Sequence, residues 1–437
     1  MRCEDVDYSK EPSGVYLMID NKSFYATVEC TTRNLDPLTT PLVVMSEADN
    51  TGSGLILASS PAAKKLFDLH NVNRARDLPA DDRLLVVPPR MNLYIKKNLE
   101  VNAIYQQFIP PEDILPYSID ESLLNLTHSW QLTSSNIYDV ITAIQATVHD
   151  RLHLVTTIGV GNNPLQAKIA LDVYSKHNKE GIGVITNNIA TQKIWEIDNL
   201  TDVWGINHRM ANRLNNIGIT NMYELAHTDP HLLKRELGQI GVRLYATAWG
   251  IDRTVLSHQP LKRDRSIGNS QVLPRDYVKK GEIELVIKEI TAQVASRLRA
   301  RHKQANGVYL GIGYAKGVID EDGRTGFAHS KKLDVSTADE RKLILPILDL
   351  FEQHWQGQPV RHISVSASRL SERFGEQLNL FQSRAATVAI DVENTMDEIR
   401  QKFGKTAIMK ASSLEKGGTF ISRSKLVGGH GGGQSFE

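Results

Sequence analysis

The chain of 437 residues contains little cysteine and no long hydrophobic run. Its two cysteines, Cys3 and Cys30, exclude a disulfide framework and a cysteine-rich zinc site. No apolar stretch approaches the roughly 20 residues that cross a bilayer. The opening segment, MRCEDVDYSKEP, lacks the basic and apolar regions of a signal peptide. We therefore expect a cytoplasmic protein that does not enter a membrane.

The sequence also lacks an excess of charge of either sign. Lysine and arginine total 51 against 50 for aspartate and glutamate, which gives a net charge of +1. This balance neither indicates nor excludes a nucleic-acid partner, because a basic face can be local. The 41% hydrophobic and 23% charged residues are typical of a globular protein, and the length predicts two to four domains.

Apolar runs and turn signals divide the chain into four blocks, of which the first ends near residue 195. In this block, strands are expected near 15–20, 41–46, 54–58, 84–88, 113–119, 122–127 and 154–160, and helices near 61–68, 91–108, 136–152 and 163–175. If 31–90 is treated as an inserted module, the remainder follows the order strand, helix, strand, strand, helix, strand. That order predicts a ferredoxin-like unit.

The other blocks differ in character. The second, about 195–256, has little strand pattern and twice joins a glycine-containing turn to a helix, at 202–219 and 236–252. The third, about 265–370, repeats the strand and helix order of the first and predicts a second ferredoxin-like unit. The last contains the peptide QLNLF and ends in the glycine-rich VGGHGGGQSFE, for which we expect flexibility.

Three carboxylates stand out at the ends of predicted strands. Asp20 ends the apolar run VYLMID, and PYSIDESLLNLT places Asp120 and Glu121 between two strand segments. A single such acid is usually a solvated strand end. Neighbouring residues of a strand point to opposite faces, so Asp120 and Glu121 reach one site only where the strand ends or bends. Three anions held together need cations, and Mg²⁺ is suited to oxygen ligands of this kind.

The segments IDNKSFYATVEC (19–30) and YSIDES (117–122) resemble the two active-site motifs of Y-family translesion DNA polymerases. The likeness extends across 15–381 and looks closest to the branch that contains the catalytic subunit of bacterial DNA polymerase V. It implies an α+β, multidomain right-hand polymerase with a ferredoxin-like palm. The implied domains are a palm at 1–30 and 91–195, fingers at 31–90, a helix-hairpin-helix-like thumb at 196–257, a βαββαβ little finger at 265–370 and a tail at 371–437 with a clamp-binding peptide at 377–381.

The resemblance implies that Asp20, Asp120 and Glu121 are carboxylate ligands of two Mg²⁺ ions. The backbone carbonyl of Asn21 would be a further ligand. Asp20 and Asp120 would bridge both ions, whereas Glu121 would favour the first. Two ions in such a site would activate the primer 3′-hydroxyl and neutralise the leaving pyrophosphate.

The resemblance also assigns the sugar and triphosphate contacts. Tyr25 would be the steric gate that leaves no room for a ribose 2′-hydroxyl, with Phe24 packed beside it. The alternative for this pair is an aromatic cluster of the core. Lys64, in SSPAAKKLF, and Lys168, in GVGNNPLQAKIALD, would bind the triphosphate. Pro61 stands where many relatives have a tyrosine that binds phosphate, which weakens the expectation for Lys64.

DNA and clamp contacts are implied further along the chain. Gly205 and Asn207 fit the turn of a helix-hairpin-helix, although Asn207 replaces a second glycine and would need a left-handed conformation. Arg265 and Ser266 would lie close to template phosphates at the start of the little finger. The clamp-binding residues would be Gln377, Leu378, Leu380 and Phe381. The alternatives are ordinary helix packing for the thumb and a short turn packed on the little finger for the peptide.

Taken together, these features predict a low-fidelity translesion DNA polymerase that acts on primer-template DNA and deoxynucleoside triphosphates in damage tolerance of the SOS type. The expected protein partner is the sliding clamp, and the branch adds a recombinase filament and an accessory subunit. We find no second acidic group for a proofreading exonuclease. The alternatives are a non-catalytic DNA- and clamp-binding accessory that retains the palm, and another two-metal nucleotidyl-transfer enzyme such as a nucleotide cyclase.

Overall fold

The computed structural model describes residues 6–47, 54–256, 265–373 and 384–433, with the side chains of 177 and 384–390 excepted. The chain divides into two compact units. The first comprises Met1–Leu42, Ser60–Ala62 and Leu93–Leu261, and the second comprises Val43–Ser59, Ala63–Asn92 and Lys262–Glu437. Within the described ranges, no helix is long and apolar enough to cross a membrane.

The helices and strands are numbered along the chain. The strands are β1 Tyr16–Asn21, β2 Leu42–Ser46, β3 Leu55–Ser59, β4 Leu85–Val87, β5 Ile114–Pro116, β6 Glu121–Asn125, β7 Thr156–Gly161, β8 Ile182–Ile185, β9 Ser266–Tyr277, β10 Lys303–Tyr314, β11 Gly326–Thr337, β12 Val360–Glu372, β13 Leu426–Val427 and β14 His430–Gly431. The α-helices are α1 Phe24–Thr31, α2 Pro61–Phe67, α3 Met91–Tyr105, α4 Trp130–Thr133, α5 Ile137–Leu152, α6 Pro164–Ile169, α7 Ala190–Trp195, α8 His208–Asn215, α9 Met222–His227, α10 Pro230–Leu237, α11 Gln239–Ala248, α12 Lys280–Ala300, α13 Glu340–His354, α14 Arg384–Phe403 and α15 Phe420–Ser424.

The first unit is built on a five-stranded sheet in the order β5-β6-β1-β7-β8. β1 is antiparallel to both of its neighbours, and only β7 and β8 are parallel. The first four of these strands in chain order have the ferredoxin-like arrangement predicted from the sequence, because the hairpin β5-β6 lies beside β1. β1 is buried on both faces, as its unbroken apolar run predicts. Leu17 and Ile19 on one face are fully inaccessible to solvent, and Met18 on the other face is 2% exposed.

Helix α1 was not predicted, because its sequence FYATVECT is rich in aromatic and β-branched residues. Its N-cap, Ser23, adopts a left-handed conformation (φ 49°) and makes no capping hydrogen bond through its side chain. Six of its eight residues are buried. Burial therefore stabilises a helix that local propensity does not favour.

The second block is helical, as the sequence predicts, and α7 to α11 belong to the first unit. Their apolar residues form a buried cluster that includes Trp249, Leu214 and Leu233 together with Leu165 and Ile169 of α6. The thumb-like helices and the helix that follows β7 thus share one hydrophobic core.

The second unit contains a four-stranded antiparallel sheet in the order β11-β10-β12-β9, covered on one face by α12 and α13. The βαββαβ order expected for the little finger is confirmed. The strand order is not ferredoxin-like, however, so the expectation of a second ferredoxin-like unit is wrong. In this four-stranded sheet the first strand in chain order, β9, is at the edge, whereas β1 is in the interior of its own sheet. A three-stranded sheet, β3-β2-β4, belongs to the same unit.

The tail beyond residue 390 packs on the helical face of this four-stranded sheet. The buried Arg299 of α12 donates hydrogen bonds to Glu393 (2.6 Å) and Asp397 (2.7 Å) of α14. Thr419 donates its backbone N–H to the buried Glu289 of α12 (3.0 Å). The glycine-rich end, expected to be flexible, includes the short hairpin of β13 and β14, while 434–437 lie outside the described residues. The tail is therefore part of the folded second unit.

Candidate active site

Two of the three predicted carboxylates lie opposite each other in the sheet of the first unit. Asp20, near the end of β1, is the register partner of Glu121, the first residue of β6. Side chains that are directly paired across antiparallel strands lie on the same face, about 5 Å apart at their Cβ atoms. The fold therefore places two acids side by side at one end of the sheet.

The third carboxylate, Asp120, lies just outside β6. Its backbone carbonyl accepts hydrogen bonds from the backbone N–H of Asn21 (2.9 Å) and from the Asn21 Nδ2 (3.0 Å). Its Oδ1 accepts a bond of 2.6 Å from the Ser118 hydroxyl. Asp120 is therefore anchored next to the end of β1. Because it lies outside β6, its side chain does not have to point to the face opposite that of Glu121, as it would inside a strand.

Lys168 supplies positive charge to this acidic site. Its Nζ donates to Glu121 Oε1 at 2.7 Å and to Asp172 Oδ1 at 3.0 Å. Burial lowers the pKa of Lys168, but the hydrogen bond to Glu121 and the charge of Asp172 outweigh burial, so the pKa lies above its ordinary value. Lys176 forms a further ion pair with Asp172, with its Nζ 3.6 Å from Asp172 Oδ1.

The placement of Lys168 follows from the turn after β7. Asn163 caps α6 by accepting a hydrogen bond from the Gln166 N–H, and Pro164 occupies the first turn. Gly159 of β7 permits α6 to approach, because a Cβ there would lie 2.0 Å from the Ala167 carbonyl oxygen. The helix then continues into a π-helical segment, Ala170–Tyr174, a distortion that often occurs at functional sites.

Asp20 is an acid whose ionisation is opposed by its surroundings. Burial raises its pKa to about 6, and the nearby carboxylates of Asp120 and Glu121 raise it too, whereas Lys176 and Lys168 act in the opposite direction. An acid that is costly to ionise in this way is one that a bound cation would stabilise.

The residues present fit a divalent cation by their chemistry. The site supplies three carboxylates, and the buried Oδ1 of Asn21 has no hydrogen-bond partner among the described residues. In this conformation Glu121 contacts Lys168 instead. Accordingly, no group of three or more His, Cys, Asp or Glu side chains that could hold a metal ion is present in the described ranges. The assignment of all three acids and of Asn21 as ligands stays a prediction.

The aromatic pair at the start of α1 has two different environments. Phe24 is 2% exposed, and its ring packs beside that of Tyr25, with centroids 5.9 Å apart and planes at 49°. The packing expected for Phe24 is therefore present, and the role of the pair as a steric gate stays a prediction. Tyr25 is half-buried, and its pKa is raised by burial and by the charge of Asp120. Its ring stacks on Tyr94 of α3, with centroids 4.3 Å apart and planes at 16°.

The remaining predicted residues lie on other elements. Lys64 is in α2 of the second unit. Gly205 has a positive φ of 93° before α8, as a tight turn requires. The expected left-handed conformation of Asn207 is wrong, because this residue is extended (φ −86°) and caps α8 by accepting a hydrogen bond from Met210 N–H. An asparagine at this position is therefore explained by capping.

Arg265 and Ser266 are exposed at the start of β9. The clamp-binding peptide at 377–381 lies outside the described residues, so Gln377, Leu378, Leu380 and Phe381 stay predictions.

Several site residues were missed from the sequence. The spacing of Lys168, Asp172 and Lys176 at intervals of four is a charge pattern that could have indicated the ion-pair row. No local signal marks Ser118 or Tyr94, because their roles depend on contacts with distant segments.

Comparisons with known proteins identify relatives of the chain. Residues 19–172 match the model of the impB/mucB/samB family, and residues 264–380 match the model of the impB/mucB/samB family C-terminal domain. The chain is 36% identical over 431 residues to "Putative UV-damage repair protein UvrX" of Bacillus subtilis (strain 168), covering 97% of this chain and 99% of the relative. It is 33% identical over 420 residues to "DNA polymerase IV 2" of the same organism, covering 95% of this chain and 98% of that protein.

A solved structure also resembles the chain. It is the Y-family DNA polymerase chimera Dbh-Dpo4-Dbh, with a TM-score of 0.65 and 20% sequence identity. The match covers 81% of this chain and 98% of the chimera. At this identity the likeness establishes the shared right-hand fold.

Proposed function

Since the chain belongs to the impB/mucB/samB family of Y-family DNA polymerases, we propose that Asp20, Asp120 and Glu121 form its catalytic centre. The protein is a DNA-directed DNA polymerase of the translesion type, and its substrates are primer-template DNA and deoxynucleoside triphosphates. Enzymes of this family use divalent metal ions. The observation that carries the proposal is the register of Asp20 with Glu121, with Asp120 anchored beside them and Lys168 across the site.

We assign two Mg²⁺ ions to this centre. Asp20 and Asp120 would contact both ions, Glu121 would favour the first, and the Asn21 carbonyl would be a further ligand. Bound there, the ions would lower the pKa of the primer 3′-hydroxyl and neutralise charge on the triphosphate. The raised pKa of Asp20 supports this assignment, because two positive ions would remove the cost of ionising it.

Lys168 would exchange partners when a nucleotide binds. In the structure its ammonium group pairs with Glu121 and Asp172. An incoming triphosphate brings more negative charge than Glu121 does, so Lys168 would move to the β- or γ-phosphate and release Glu121 to the metal. Lys64 would add a second cation for the triphosphate.

Tyr25 would act as the steric gate. Its half-buried ring is on α1, the helix that follows Asp20, and would lie under the sugar of the incoming nucleotide. A ring in that place excludes a 2′-hydroxyl by overlap. Phe24, which is in the core, would support the backbone at this position and would not contact the sugar.

DNA would be held by backbone and small polar groups. In the thumb, Gly205 and the N-terminus of α8, capped by Asn207, would bind a phosphate. The face of the little-finger sheet opposite its helices carries Ser364, Ser366 and Ser368, which alternate with core residues on β12. These hydroxyls would accompany Arg265 and Ser266 in contacts with DNA phosphates, which position the protein without reading sequence.

Clamp binding through Gln377, Leu378, Leu380 and Phe381 is part of the proposal, as are low fidelity, a cytoplasmic location and a role in SOS-type damage tolerance. A recombinase filament and an accessory subunit are the further partners that the polymerase V branch suggests. Extension opposite defined lesions, with and without clamp and filament, tests these partners.

The catalytic assignment is tested by primer extension in Mg²⁺. The wild type should extend a primer, and an Asp120→Ala, Glu121→Ala double variant should not. Asp150→Ala, an exposed acid on α5, is the matched control and should retain wild-type rates. Normal extension by the double variant would refute the assignment, and a wild type that incorporates no nucleotide would favour a non-catalytic accessory.

A further inference from the structure

A tyrosine outside the predicted motifs holds one face of the Tyr25 ring. Tyr94, on α3, is fully buried and stacks on Tyr25 in nearly parallel planes. An exposed tyrosine ring turns about two side-chain torsions, and stacking against a fixed partner removes part of that freedom. The position of the Tyr25 ring therefore depends on how firmly Tyr94 is held.

Tyr94 is held in turn by a buried carboxylate. Its hydroxyl donates a hydrogen bond of 2.7 Å to Oε1 of Glu29, which is 0% exposed. Glu29 lies four residues after Tyr25 on α1, so both side chains are on the same side of that helix. Tyr94 thus contacts α1 at two points, through its ring at Tyr25 and through its hydroxyl at Glu29.

The charge of Glu29 is compensated at its other oxygen. Arg33, four residues further on, pairs with Glu29 Oε2 and also donates to the Glu29 backbone carbonyl (2.9 Å). A fully buried carboxylate is tolerated only when it is paired and hydrogen-bonded. With both oxygens engaged, Glu29 is a rigid acceptor for Tyr94.

From these contacts we propose that Tyr94 and Glu29 are positioning residues for sugar discrimination, and that they act by fixing the ring of Tyr25. The proposal rests on the function assigned to Tyr25 above. The Tyr25 ring excludes a 2′-hydroxyl only while it keeps its orientation, because rotation of the ring would relieve the overlap with the hydroxyl. Tyr94 and Glu29 prevent that rotation without touching the nucleotide.

The test compares kcat/KM for a deoxynucleotide with kcat/KM for the matching ribonucleotide. The ratio of the two is independent of the fraction of folded enzyme, so a loss of stability alone does not change it. Tyr25→Ala should abolish discrimination. Tyr94→Leu, which removes the stack, should lower the ratio by roughly 3- to 10-fold, the range expected for one aromatic pair.

A conservative variant and a double variant complete the design. Tyr94→Phe keeps the ring but loses the bond to Glu29, so it should lower the ratio less than Tyr94→Leu does. Adding Tyr94→Leu to Tyr25→Ala should change nothing further, because Tyr94 acts only through Tyr25. Tyr138→Leu, an exposed tyrosine on α5, is the control and should keep the wild-type ratio.

The results distinguish the steric-gate role of Tyr25 from the positioning role of Tyr94 and Glu29. If Tyr25→Ala loses discrimination while Tyr94→Leu keeps the wild-type ratio, the positioning role is refuted and the gate stands. Equal losses of both kcat/KM values in Tyr94→Leu would refute it in the same way. If Tyr25→Ala itself keeps the ratio, the gate is wrong and the positioning role falls with it.

Discussion

Replacing Asp20 by asparagine should make the metal-free protein more stable while abolishing synthesis. Asp20 is held near Asp120 and Glu121 at the end of β1, and burial together with these charges raises its pKa from 3.8 to about 6. Because the folded-state pKa lies above the unfolded one, the protonated form favours folding. This contribution is complete below the unfolded pKa and is lost as the pH rises through the folded value.

The size of the effect follows from the shift. About two pKa units at about 1.4 kcal/mol each give a penalty of about 3 kcal/mol near pH 8 for ionising Asp20 in the folded state. Partial exposure of the side chain reduces this to about 2 to 3 kcal/mol. Near pH 5 the penalty should be about half as large, since most of the folded molecules then carry a protonated Asp20. Asp20→Asn carries no charge at either pH.

The assay is urea unfolding with a metal chelator present, followed by tryptophan fluorescence. Trp130, Trp195, Trp204 and Trp249 are in the first unit, so a Trp355→Phe background confines the signal to that unit. Asp20→Asn should unfold at a higher urea concentration than the parent, and the difference between the two midpoints should be larger at high pH than at low pH. Mg²⁺ should reduce this difference in midpoint, because it stabilises the parent alone. Equal or lower stability of Asp20→Asn near pH 8, or a gap that does not change with pH, would refute the reasoning.

Three further changes have definite expected results. Lys168→Met should lower kcat/KM for the nucleotide by about 10- to 100-fold, as expected for loss of a hydrogen bond between charged groups that contributes about 1.5 to 3 kcal/mol. The same variant should raise Mn²⁺ affinity without nucleotide in spin-resonance titrations, because Glu121 is released. Lower Mn²⁺ affinity would contradict this. Gly159→Ala should destabilise the first unit by about 1 to 3 kcal/mol in urea unfolding and should reduce activity, because the added Cβ would overlap with the backbone of α6. Wild-type stability of this variant would show that α6 can shift away without cost. Arg299→Leu should destabilise the second unit by about 3 kcal/mol and make the tail sensitive to limited proteolysis, because Glu393 and Asp397 both lose their ion pair with Arg299. A tail that stays resistant would contradict this.

The parts of the fold that the sequence predicts well are those with strong local patterns. The apolar run before Asp20 predicts β1, and the alternation of strands and helices predicts the βαββαβ order of both units. The acidic motifs lie where the strands end, so the sequence also predicts which side chains meet. The spacing of four residues between Lys168 and Asp172 on one helix indicates their ion pair from the sequence alone.

The parts that the sequence does not predict depend on distant contacts. α1 forms because its residues are buried, against their helical propensity. The strand order of the four-stranded sheet depends on β12 pairing with both β10 and β9. No local sequence pattern indicates these pairings. Asn207 was read as a turn residue because capping and turn formation favour the same amino acid. Tyr94 is 65 residues from Glu29, and no spacing connects them.

The packing of the tail on α12 has a consequence for the order in which the protein is made. Arg299 and Glu289 emerge from the ribosome well before their partners, which lie 94 to 130 residues later. Domains fold as units during synthesis, N-terminal parts first. The βαββαβ core can form as soon as β12 is complete, but it then exposes two charged side chains whose final surroundings do not yet exist. The second unit therefore passes through a nascent state with an open, charged helical face, which closes only when the residues beyond 390 have been translated.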